Sequence, residues 1–307
     1  MNILDANIGS AKDNMSSPVH NWYKFTAGFS YKFVDIILED YAGQDIVVYE
    51  PFAGGFNTKF RMDMMNSTGV TPNISIVPSP GFGNPNYGII VLFFYMVDSN
   101  MMSALELPLF SSKKCIVRHK MDNPMCSKEG DSHIIYISAH DNYWCKWVYQ
   151  FAHEYCHHLI DGTLSGEWAD LLWFEETICE LSSIYNLYKM ERFCSEVGLG
   201  YFSPSVEEYK ENLLNKNAQL YNLSPSGGWY SGYASSLSEV GYKRDLYNAI
   251  AALMFPLFVE NPRLWKIILH IGDIRSWNSL EDLFTHLQSK ADDSYADSLN
   301  QLRRMFS

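Results

Sequence analysis

The spacing of apolar and polar residues changes character near the middle of this 307-residue chain. From about residue 21 to 50 it predicts a helix and then a strand. FVDIILEDYAG repeats its apolar positions at about 3.6 residues and ends at Gly43, a helix-stopping glycine; DIVVY follows as a short buried strand. NISIV (Asn73–Val77), IIVLFFYMV and CIVRHK read as further strands, and PSPGFGNPNYG between the first two is loop by composition. MDNPMCSKEGDS (121–132) also reads as loop, and HIIYISA (His133–Ala139), rich in β-branched and aromatic residues, as a strand.

Helical spacing takes over from there. Asp141 or Asn142 offers an N-cap for a helix running to about Ile160, stopped by Asp161-Gly162, and a second helix is expected from about Glu167 to Glu196. The polar, Gly/Ser/Tyr-rich region 198–241 predicts loop around one short helix. RDLYNAIAALMFPLFVENP, LWKIILHI and SLEDLFTHLQSKA then give three helical units, the last with a serine N-cap. The expected class is α+β: a mixed first half and an all-helical second half, with no internal repeat.

Composition narrows the function. Hydrophobic residues make up 47% and aromatics 15%, which is enough to build a core. A formal net charge of −12 argues against a nucleic-acid partner and against adhesion to an anionic membrane. The longest apolar run, Gly88–Val97, is about half of what a bilayer span requires. The N-terminus lacks the layout of a secretory signal. Six cysteines without CxxC spacing read as reduced core thiols. These features predict a soluble cytoplasmic protein.

One apolar helical stretch, FAHEYCHHLIDG, carries an unusual density of ionisable groups. His153-Glu154-Tyr155-Cys156-His157 is an HExxH sequence, and positions i and i+4 of a helix share a face, so both imidazoles can converge on one ion. Glu154 lies about 100° around from His153, placed to work as a general base on water beside that ion. A catalytic zinc site needs a third protein ligand. Glu176 supplies one after eighteen intervening residues, provided that the turn DGTLSG folds the second helix back antiparallel.

HExxH, eighteen residues and then Glu resembles the gluzincin metallopeptidases, in particular their aminopeptidase pattern. The third ligand there lies in a W-x-x-E context, matched by Trp173-Phe174-Glu175-Glu176. The resemblance covers about residues 133–190 and implies a zincin-like fold. It also implies zinc held by His153, His157 and Glu176, a peptide or protein substrate, and an acidic residue one turn on, Glu180, orienting His153. It further implies a catalytic lobe over 71–200 and a helical lobe over 201–307, with residues 1–70 an α/β segment outside the pattern. No GAMEN-type exopeptidase motif precedes the helix, so aminopeptidase activity does not follow. Tyr242 and Tyr247 sit in GYKRDLYNAIAAL, near a helix start, somewhat as in the family's Y-x-K-G-A segment. Tyr247 is the candidate donor to the oxyanion.

Other readings of these residues are blander. Glu175 is read as solvent-facing or as a charge between paired helices, His158 as a core or metal-supporting histidine, and Cys156 as a buried thiol. His133 and His140 flank the strand HIIYISA, which is expected beside the cleft, where an extended peptide could pair with it. Two alternatives compete with a peptidase. A metal-bound scaffold without turnover is one, and Glu154, which such a protein does not need, weighs against it. The other is an S-adenosylmethionine-dependent DNA methyltransferase, because VVYEPFAGGFNT resembles its glycine-rich cofactor turn and Asn84-Pro85-Asn86-Tyr87 its catalytic motif. Glu50 in place of aspartate, Asn86 in place of proline, the short gap and the acidic balance oppose it.

Overall fold

The computed structural model describes residues 70–161, 171–196, 199–216, 220–239, 243–273 and 279–307. The N-terminal helix and strand, the PFAGGFNT turn, the part of DGTLSG after Asp161 and Tyr242 lie outside the described residues. The class is α+β.

A four-stranded mixed sheet is built from β1 (Ile74–Ile76), β2 (Cys115–His119), β3 (Met125–Glu129) and β4 (Ser132–Ile137), in the order β1-β2-β4-β3. β1, β2 and β4 are parallel, and β3 returns antiparallel to β4 with Cys126 opposite Ile135. NISIV, CIVRHK and HIIYISA are thus strands as expected. Two corrections concern this sheet. MCSKE is a strand rather than loop, and HIIYISA is an inner strand with both neighbours in place, so a peptide cannot add to it. β3 lies at the end of the order.

IIVLFFYMV is not a strand but part of α1 (Tyr87–Ala104), whose N-cap Asn86 accepts a hydrogen bond from the Ile89 amide. An apolar run without period suits a strand buried on two faces or a helix buried all round. Here the helix wins, because α1 runs between other elements and Phe94 stacks on Phe151 at 3.8 Å. By length and hydropathy α1 could cross a membrane, yet 67% of it is buried inside the protein. Asn84-Pro85-Asn86-Tyr87 serves as the loop and cap of this helix.

The HExxH stretch lies on α2 (Trp144–Ile160), and the Glu176 stretch on α3 (Leu172–Glu196). The residue before α2 is Tyr143, without a side-chain cap, so neither Asp141 nor Asn142 caps it. Asp161 ends the helix as expected, in the left-handed conformation at φ 57. Region 198–241 is more helical than its polarity suggests, containing α4 (Ser203–Lys216) and α5 (Tyr230–Ser238). α4 buries little more than Val206 and Lys210, and the Lys210 ammonium is tied to Glu191 of α3 at 2.7 Å. α6 (Arg244–Glu260) follows, and LWKIILHI forms a 3-10 turn leading into the short α7 (Ile268–Ile271). α8 (Leu280–Lys290) has Ser279 as its N-cap, and α9 (Ala296–Met305) closes the chain.

One apolar cluster runs from Val70 to Phe306, and α3 is central to it, packed by α2, α4 and α6. α3 buries nearly every face, and its buried Thr177, Ser182, Ser183 and Asn186 are hydrogen-bonded within the core. Ser182 donates to the Ala152 carbonyl at 3.0 Å and Ser183 to the Tyr149 carbonyl at 2.8 Å, pinning α3 to α2. All six cysteines are free, and Cys115, Cys156, Cys179 and Cys194 are buried.

Candidate metal centre

α2 and α3 lie side by side in opposite directions. His157 meets Glu175, His153 meets Glu176 and Glu180, and Tyr149 meets Glu180 and Ser183. The antiparallel pairing needed to bring Glu176 to the histidines is present. His153 and His157 are one turn apart on α2, their ring centroids separated by 5.2 Å.

Glu176 spans the two rings. Its Oε2 lies 3.3 Å from His153 Nε2 and its Oε1 3.5 Å from His157 Nε2. All three donors lie within 4.8 Å of one another, so the group can hold a metal ion. A tetrahedral ion with bonds of about 2.0–2.2 Å sets its ligands roughly 3.3–3.6 Å apart, and the separation of each histidine nitrogen from its nearer Glu176 oxygen falls in that range. Two imidazole nitrogens and a carboxylate oxygen suit zinc and its first-row neighbours. Both Nε2 atoms turn toward Glu176, leaving the Nδ1 atoms for carboxylates behind: Glu175 Oε1 at 2.7 Å from His157 and Glu180 Oε1 at 3.8 Å from His153. Carboxylates in that position fix ring orientation and raise the basicity of a metal-binding histidine. The residues fit a bound ion.

The charges compensate one another. Burial works against ionisation of Glu176, but hydrogen bonds from His153 and His157 outweigh it and hold the carboxyl well below the usual range. Burial likewise disfavours the charged form of His157, yet bonds to Glu175 and Glu176 raise it well above an ordinary histidine. His153 is raised too, against burial, by Glu176 and then Glu180. A divalent cation supplies the same positive charge and must displace these protons, so its affinity falls as pH falls. Glu154, on the same turn, is buried; burial pushes its carboxyl up while His153 and His157 pull it down. A carboxylate raised in this way is a better general base near neutral pH.

Sequence spacing anticipated where His153, His157, Glu176 and Glu180 come together, but it did not choose between the two readings of Glu175. That carboxylate is a buried charge between the helices, bound to His157, and not a solvent-facing one. Spacing along α3 carries no signal for that choice, because the partner that decides it lies on another helix. His158 points elsewhere: its Nδ1 is 2.8 Å from Nδ1 of His133, whose Nε2 in turn lies 3.0 Å from Asp161. Cys156 is buried as expected. Tyr247 is buried on α6, and burial, the largest cause, raises its phenol pKa. No protein-family model, curated protein or solved structure matches the chain.

Proposed function

We propose that this chain is a zinc-dependent metallopeptidase of zincin-like fold, in which His153, His157 and Glu176 hold the ion. The convergence of these donors, with a carboxylate behind each imidazole, carries the reading. A bound zinc ion supplies Lewis acidity that polarises a peptide carbonyl and acidifies water. Glu154 takes the proton from the attacking water on its carboxylate and delivers it to the leaving amine nitrogen. Tyr247 keeps its phenol proton and is the candidate donor to the developing oxyanion. The mixed sheet packed on α2 supports the fold assignment, and β3, at the end of the strand order and in contact with α2, is the edge along which an extended peptide would pair.

The test uses Glu154→Gln. Zinc should bind at about one ion per chain in both proteins, while peptide-bond hydrolysis by the variant falls roughly 10²–10⁴-fold. One equivalent of zinc with no hydrolysis of a random peptide library by either protein would identify a metal-bound scaffold instead.

A further inference from the structure

We infer that Arg244 and Tyr149 are positioning residues for the metal centre, fixing the Glu180 carboxylate so that one of its oxygens faces the rear nitrogen of His153. The inference rests on the metal-centre reading above. Glu180 has no exposed surface. Its Oε2 accepts a hydrogen bond from the Tyr149 hydroxyl. Its Oε1 faces Arg244 Nε at 3.4 Å and His153 Nδ1 at 3.8 Å. The third side of the triangle is closed as well: an Arg244 terminal nitrogen donates to the Tyr149 hydroxyl at 2.9 Å, and the guanidinium carbon lies 5.3 Å from the centre of the Tyr149 ring.

A surface arginine paired with a surface carboxylate contributes little. This pair differs because its carboxylate is wholly buried, where an uncompensated charge is costly. Arg244 is the first residue of α6, and its side chain is 53% exposed, so it reaches inward from the rim. Held from two sides, Glu180 cannot choose another rotamer without breaking both contacts. His153 Nδ1 is buried and makes no hydrogen bond among the described residues. Moving the ring toward Glu180 by about 1 Å brings it into hydrogen-bond range. Tyr149 remains a donor throughout, because burial and the neighbouring Glu180 charge push its ionisation well above the ordinary range. The helix that follows the polar region therefore belongs to the centre itself: through Arg244, α6 sets the angle at which a ligand histidine meets the ion.

The experiment is competition of Zn²⁺ between a chelating dye and the full chain, for the wild type and for Arg244→Met, Tyr149→Phe, Glu180→Gln and the Arg244→Met/Glu180→Gln pair. Each single variant should bind zinc roughly 10–100-fold more weakly. Arg244→Met should add nothing in the Glu180→Gln background, because it acts through that carboxylate. Co²⁺ loaded in place of zinc should keep the position of its visible bands, the three ligands being unchanged. Wild-type affinity in folded Arg244→Met, or losses that multiply in the pair, overturns the inference while leaving the metal centre standing. A folded wild type that takes up no zinc overturns both. Should Arg244→Met not fold, Tyr149→Phe decides alone, since it keeps the ring and removes only the hydroxyl.

Discussion

His157 and His158 are neighbours on α2, both buried, and they have opposite fates. His157 stands between two carboxylates, and its imidazole is held well above the ordinary histidine range by Glu175 and Glu176 against the effect of burial. His158 stands against another imidazole, and burial, then His133 and Lys113, hold it down to about 3. It stacks on Tyr155, with ring centroids 5.2 Å apart, and bonds His133 across to β4. A step of 100° around one helix thus separates a ring surrounded by acceptors from a ring surrounded by hydrocarbon and a second base. The residue type sets the available chemistry, while the facing element decides whether a proton or cation is welcome.

The strongest way to break this comparison is to remove one ring at a time. His157→Ala should cost more than a hundredfold in zinc affinity, beyond the roughly 10–100-fold typical of an outer partner. His158→Phe should leave zinc affinity unchanged. Equilibrium dialysis against buffered zinc measures both, and equal losses would erase the distinction between the two faces.

Glu175→Gln comes next. It leaves the three donors in place but weakens the acceptor behind His157, and zinc affinity should fall roughly 10–100-fold. The same dialysis reads it, and an unchanged affinity would make Glu175 a packing residue only.

The pH dependence of the metal-free protein sharpens the contrast further. His158 is depressed below its unfolded value near 6.5, so its contribution is present above that pH and lost as pH falls toward about 3. His157 is raised, so its contribution is full below its unfolded value and lost as pH rises through the folded one. In urea denaturation across pH, His158→Phe should flatten the acid limb and His157→Ala the alkaline limb. Identical effects on both limbs would contradict the assignment.

The smallest effect concerns folding alone. His158→Phe removes the partner of a buried His133 nitrogen, which should cost about 1–3 kcal/mol near neutral pH. The urea midpoint gives it directly.

Parts of this molecule were legible without coordinates. The i and i+4 histidines of α2 follow from helical periodicity, while Glu176 and Glu180 were expected from the spacing and the metallopeptidase pattern it resembles, and the structure brings them together. The strands at Ile74–Ile76, Cys115–His119 and Ser132–Ile137 carry enough β-branched residues to be read. Other elements were not. The IIVLFFYMV run of α1 is unbroken by polar residues, so its period gives no sign of helix or strand. β3 exposes both ends and holds its place by backbone pairing with β4, which leaves no apolar alternation in MCSKE. α4 buries so little that its composition matches that of a loop.

What the sequence determined alone is local: spacing along a helix fixes which side chains share a face, because the helix repeat is set by the backbone. What only the tertiary structure decided is what each face meets. Nothing within FAHEYCHHLIDG says that His157 will find Glu175 as well as Glu176, that His158 will find His133, or that Arg244, 64 residues beyond Glu180, will reach back to it. Those partners come from distant elements, and burial in a shared core makes their charges count, since water no longer screens them.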